Sequence, residues 1–167
     1  MQPGSITQPN WIPTLPDEAD NKQARRITIQ AKPAAGLWTR VTDFIPAGRK
    51  LKILVVDTPE WIYDAAKAAC APDGAPLSAD AAALLPQAVL GCLIGKVGGS
   101  SADVTTQVAA LTGPIANPPI FVFSVGTYCV VQVPTTISGA LFLTMNDKTE
   151  NFVKHSGSLQ VQVYDAS

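Results

Sequence analysis

The chain has 167 residues and a mass of 17.5 kDa, enough for one domain with a substantial core. Lys and Arg total 12 against 13 Asp and Glu, so the net charge of −1 gives no electrostatic footprint for nucleic acid or an anionic membrane. Apolar residues make up 47%, which excludes whole-chain disorder, while charged residues reach only 15% against about 25% in an ordinary soluble domain, as expected where partners cover part of a surface.

Residues 1–24 form a segment of their own. Pro3, Pro9, Pro13 and Pro16 recur every few positions, followed by the acidic patch Asp17-Glu18-Ala-Asp20. Proline at that density prevents a helix or a central strand and favours extended backbone. Trp11, Ile12 and Leu15 are the apolar anchors of this arm. They are expected to dock on a neighbouring subunit, the alternative being that the arm folds back on its own domain. The first ten residues have neither a basic stretch nor an apolar core of a signal peptide, so synthesis in the cytoplasm without export is expected.

From Arg25 onward the apolar period is two. Arg26–Ala31, the start of Leu51–Val56, Leu141–Met145 and Leu159–Val163 alternate apolar with polar, the signature of strands with one buried face. The alternation predicts that Ile27, Ile29, Leu51, Ile53, Leu141, Leu143, Val161 and Val163 point inward. Pro46-Ala-Gly48 between Val41–Ile45 and Lys50–Val56 predicts a hairpin. Val89–Val97 and Ile120–Val133 supply further β-branched and aromatic runs; the second is broken by Ser124, Gly126, Thr127 and Gln132, too polar to span a bilayer. About eight short strands punctuated by Gly and Pro point to an all-β fold, an antiparallel β-sandwich of jelly-roll or galactose-binding-domain-like form over residues 25–167.

Residues 62–88 interrupt this pattern as an Ala-rich insertion loop with Pro72-Asp-Gly74 and Pro76. Ser78 is placed to cap one short helix over Ala79–Leu85, which Pro86 ends. An excursion of that length implies work, either ligand binding or packing on a neighbour. The three cysteines Cys70, Cys92 and Cys129 are odd in number and lack metal-ligand spacing, so they read as buried thiols.

The inventory for catalysis is thin. His155 is the only histidine, so any nucleophile–histidine arrangement must use it, and Lys154 beside it disfavours its protonation. It reads as a loop or surface histidine. No nucleophile elbow, zinc-binding helix or phosphate-cradling loop is present, and Gly98-Gly-Ser-Ser101 reads as a connecting turn. No catalytic residue is assigned and an enzyme is not expected.

The C-terminal quarter is more specific. Gly139–Asp147, seven residues, then His155–Val163 make two strands flanking a polar loop, and Asn146-Asp147 leaving a strand offers the hard oxygens that Ca2+ takes. The bland alternative is a turn held by Asx hydrogen bonds. This arrangement resembles the calcium-dependent galactose-binding soluble lectin family of Pseudomonas. Val41–Val55 followed by Trp61, and Leu90-Gly-Cys-Leu-Ile-Gly-Lys-Val-Gly98, are similar to further blocks of that family in the same order, so the likeness covers most of residues 36–163. The resemblance implies Asp147 as a calcium ligand and Asn146, Asn151, His155 and Trp61 as ligand-binding positions. It departs from the family where two consecutive asparagines of the calcium and sugar site fall on Lys154 and His155, and where residues 62–88 hold no histidine. An ammonium supplies no lone pair and repels a cation, so Ca2+ is disfavoured and no cofactor is expected, with Lys154 pairing with Asp147 or Glu150 instead.

These features lead to the expectation of a non-enzymatic structural subunit of a larger assembly, held through Trp11, Ile12 and Leu15. A virion decoration or tail/baseplate component suits it, with the particle as its final location. The alternative is a carbohydrate-binding lectin acting in adhesion on a cell-surface glycan, through a rearranged calcium site or by stacking on Trp38, Trp61 or Tyr63. A homo-oligomer or particle-bound state is expected, without nucleic acid or membrane insertion.

Overall fold

The computed structural model describes residues 12, 14–18, 25–64, 66, 69–105, 115–116 and 119–166. The strands are β1 (Ile27–Gln30), β2 (Thr39–Ile45), β3 (Lys50–Ile62), β4 (Leu93–Val97), β5 (Ile115–Ala116), β6 (Pro119–Ser124), β7 (Tyr128–Gln132), β8 (Gly139–Met145) and β9 (Ser156–Asp165). They form an antiparallel β-sandwich of a four-stranded sheet, β1-β9-β3-β7, and a five-stranded sheet, β2-β8-β4-β6-β5. No helix among the described residues is long and apolar enough to cross a membrane.

The period-two alternation sets the core. Ile27, Ile29, Leu51, Ile53, Leu141, Leu143, Val161 and Val163 are all buried between the sheets, with Val41, Ile45, Trp61 and Met145 beside them. The five-stranded sheet is also covered on its outer face, where Trp38, Leu84, Leu85, Ile94, Phe142 and Phe152 make a second cluster. Strand β4 is therefore buried at every position, Lys96 included.

Three expectations are corrected. Pro46-Ala-Gly48 does not close a hairpin, because β2 pairs with β8 while β3 pairs with β9 and β7. The turn is a corner between layers. Gly48 takes a left-handed φ of 80°, and the 133–134 segment, not the opposite strand of a hairpin, ties down this corner through Gly48 N–H to Pro134 O and Val133 N–H to Arg49 O. The run Ile120–Val133 likewise splits at Gly126 into β6 and β7 of different sheets.

The short helix does not form over Ala79–Leu85. There the N–H groups turn outward, Leu84 to Asp147 O and Leu85 to the Asn146 side chain, while Asp80 Oδ1 accepts from Ala82 N–H at 2.8 Å. Alanine's helix propensity is weak against such long-range bonds and the burial of Leu84 and Leu85. A short 3-10 helix forms instead over Thr149–Lys154, between β8 and β9.

The arm is the third correction. Ile12, expected as an anchor on another chain, is 3% exposed and packs in this chain's own core. It bridges Thr42 in parallel, and its N–H donates to Val41 O at 2.7 Å. Leu15 packs against the same core, and Asp17 bridges Asp165 of β9. An apolar side chain beside an open strand edge buries where the nearest surface is, and here that is β2. Trp11 lies outside the described residues.

Candidate functional site

β8 delivers Asn146 and Asp147 to one end of the sandwich, and the 3-10 helix folds over them. Asn146 is fully used by the fold. Its Oδ1 accepts from Leu85 N–H at 2.9 Å, and its Nδ2 donates to the carbonyls of Leu85, Ala88 and Val89 at 2.9, 3.1 and 3.1 Å. It staples the insertion loop to the sheet and offers nothing to a ligand.

Asp147 is equally engaged. Its Oδ1 accepts from Lys148 N–H at 2.7 Å and Asn151 Nδ2 at 3.2 Å, and its Oδ2 lies 3.0 Å from His155 Nε2. His155 is buried, a correction to the surface histidine expected from sequence, with Nδ1 2.9 Å from Ala31 O and its ring 4.5 Å from that of Phe152. Both ring nitrogens thus face oxygens of the protein, Ala31 O and Asp147 Oδ2. The partner of Asp147 is thus His155 and not Lys154, which makes no ion pair among the described residues.

This donor set does not fit Ca2+. The ion needs six to eight oxygens, whereas both Asp147 oxygens already accept hydrogen bonds and Asn146 Oδ1 is occupied by Leu85. Among the described residues no three His, Cys, Asp or Glu side chains stand close enough to hold a metal.

What the loops do form is a cleft of about 300 Å3, at the small end of the range for small-molecule sites. Tyr63 stands on the β3 side, Asp80 on the insertion loop, and Asp147, Lys148, Asn151 and Lys154 on the β8–β9 connection. Asp80 is held below the ordinary carboxyl value of 3.8, chiefly by the bond from Ala82 N–H and then by the Lys148 ammonium at 3.5 Å. Asn151, expected as a ligand-binding residue, lines the cleft, and its Oδ1 has no partner among the described residues.

Trp61, also expected there, lies behind the cleft. It is buried in the core with Nε1 donating to Gly91 O at 2.8 Å, and Gly91 N–H donates in turn to Asn146 O. Trp38 is buried too, its Nε1 on Asp103 O. Neither indole offers a stacking face; of the three aromatics weighed for that role, only Tyr63 borders the cleft. Asp80 was not legible as a site residue. Ser78 drew the cap assignment, although Asp80 before two alanines is the stronger Asx turn. No protein-family model and no curated protein matches the sequence.

Proposed function

We propose that this chain is a non-enzymatic binding module that takes a neutral, polyhydroxylated ligand, a glycan, in the Tyr63–Asn151 cleft without a metal ion. The observation that carries the reading is the cleft's lining: half-buried Tyr63, an Asn151 amide whose oxygen has no partner among the described residues, the carboxylates of Asp64, Asp80 and Asp147, and the ammonium groups of Lys148 and Lys154 around a small volume. Sugar rings present apolar C–H faces and hydroxyls that both donate and accept, and such a lining meets each need. The Asp147–His155 pair and the Asn146 staple fix its walls, which lowers the ordering cost of binding. A role in general acid–base catalysis finds no support, because the ring nitrogens of His155 are both turned to acceptors inside the protein.

A glycan array followed by calorimetry in the presence of a chelator tests this. Binding that survives chelation and is lost in Tyr63→Ala and Asn151→Ala, with the fold intact, is the expected result. Silence on the array, or binding that requires Ca2+, overturns it.

A second reading is a subunit of a larger assembly, of the virion decoration or tail/baseplate kind. It rests on a separate, largely apolar groove of about 310 Å3 between the arm and the sandwich, lined by Leu15, exposed Phe44, Pro46 and Leu51. Under this reading the groove, and not Ile12, would meet the neighbouring subunit.

A further inference from the structure

The edges of the sandwich are not protected alike. The outer edge of β2 is covered by the arm at Ile12, its ladder to β8 has two register shifts, and Arg40 and Asp43 place charge along it. Strand β7, Tyr128-Cys-Val-Val-Gln132, has no charge and no proline. Its ladder to β3 runs in unbroken register from Lys50↔Gln132 to Leu54↔Tyr128, and among the described residues no strand pairs with its other side. Tyr128 and Val130 are 57% and 50% exposed. An uncharged edge in unbroken register, with exposed apolar side chains, is a template for another strand.

The free backbone groups of that edge can be assigned. Val55 N–H donates to Thr127 O and Val133 N–H to Arg49 O, and both pairs continue the β3–β7 register. In an antiparallel ladder the hydrogen-bonded pairs alternate, so Cys129 and Val131 turn their N–H and C=O to β3. Tyr128, Val130 and Gln132 therefore direct theirs outward.

We propose that β7 pairs antiparallel with β7 of a second copy of this chain, about a two-fold axis through Val130, making one continuous sheet. In this register Val130 faces the partner's Val130, Tyr128 faces the partner's Gln132, and each outward pair exchanges two N–H···O bonds. Cys129 and Val131, half-buried at the rim of the core, gain cover from each other across the axis. No charge lies on β7 itself: Lys50 and Lys52, opposite Gln132 and Val130, stand one strand back on β3, and Lys52 pairs with Glu18 at 2.5 Å and lies 5.9 Å from the Tyr128 ring centre. The interface leaves the Tyr63–Asn151 cleft out and is independent of the glycan reading.

Two variants of the full chain test it. Val130→Pro removes an outward N–H that β3 does not use, a change an edge strand tolerates; Val130→Lys sets two ammonium groups opposite one another without touching the backbone. Sedimentation equilibrium is expected to show a dimer that dissociates on dilution. Hydrogen exchange should show the Tyr128, Val130 and Gln132 amides protected only while the dimer persists. Both variants should weaken the dimer by about tenfold or more, and Val130→Lys should retain the parental melting curve at dilutions where both chains are monomers. A wild-type chain that is monomeric throughout, a dimer unmoved by Val130→Lys, or protection of those amides independent of concentration overturns the proposal. The last result would point to another segment lying on the edge.

Discussion

Asn146 and Leu85 bond each other in both directions, the Leu85 N–H donating to Oδ1 and Nδ2 donating to the Leu85 carbonyl, each at 2.9 Å. An amide side chain here does what a strand backbone does for its neighbour. It holds a segment that has no ladder of its own. Asn146→Ala leaves the buried Leu85 N–H and the half-buried Ala88 carbonyl without partners, while the Leu85 and Val89 carbonyls keep the N–H groups of Ala88 and Cys92, at an expected cost of about 2 kcal/mol. Urea denaturation measures it, and hydrogen exchange should locate the loosening in residues 84–90.

The burial of Ile12 makes the arm part of the fold. Ile12→Ala is expected to destabilise the chain by about 2 kcal/mol, the low end for a buried large-to-small change because the site lies at the sandwich edge and can relax. Limited proteolysis should then cut residues 12–18 faster than in the parent. A substitution that changes neither stability nor cleavage would mean that the arm does not rest on β2.

Lys96 and Asp103 predict an asymmetry. The ammonium of Lys96 is fully buried against the rings of Phe142 and Trp38, 4.4 and 5.1 Å from their centres, and donates to Asp103 Oδ2 at 2.8 Å and to Ser100 O. Burial lowers its pKa, with Asp103 opposing. Asp103→Ala strands that charge and should cost about 3 kcal/mol; the carboxylate is still 30% exposed, which keeps the figure at the low end for breaking a buried pair. Lys96→Met fills the same aromatic slot without a charge and should cost less.

The same pair predicts an acid limb. Burial raises the Asp103 pKa, but bonds from Lys96 and from Ser100 N–H outweigh it and leave the carboxyl below 3.8. A carboxyl depressed in the fold contributes stability above its unfolded value that is lost as pH falls through the folded one. Stability should therefore drop below about pH 4, and Asp103→Asn should flatten that drop in a pH series of denaturation curves.

The thiols should be inert in the folded chain. Burial pushes Cys92 up to about 11 and raises Cys70 and Cys129 as well. Since the thiolate is the nucleophile, a disulfide reagent at about pH 8 should label the native protein slowly and reach all three cysteines only after denaturation. Rapid labelling of Cys92 without unfolding would contradict its burial.

Strand positions and their inward faces were legible because alternation is a local property: Ile27 and Ile29, or Val161 and Val163, declare a buried face within a few residues. Which sheet a strand joins is not local. Pro46-Ala-Gly48 has the composition of a hairpin turn, yet the ladder partners of β2 and β3 lie far along the chain. The Asn146-Asp147 neighbourhood was legible as a polar feature of the fold, and its roles were not. The partner that consumes the Asp147 carboxylate is His155, eight residues on and brought back by a 3-10 helix that the sequence marks only as a polar loop. Trp61 was misread for the opposite reason, since an amphipathic ring can serve a surface or a core and only the strand's facing decides.

Strand β9 lies inside its sheet, between β1 and β3, with Gln160 bonded to Thr28 132 residues earlier in the chain. During synthesis, β1 and β3 therefore leave the ribosome with the place between them empty, each showing an apolar face and an unfilled edge until Ser156–Asp165 emerges. Closure of this sheet waits on β9: the nascent chain must be kept from pairing with other chains at β1 and β3 until those residues have emerged.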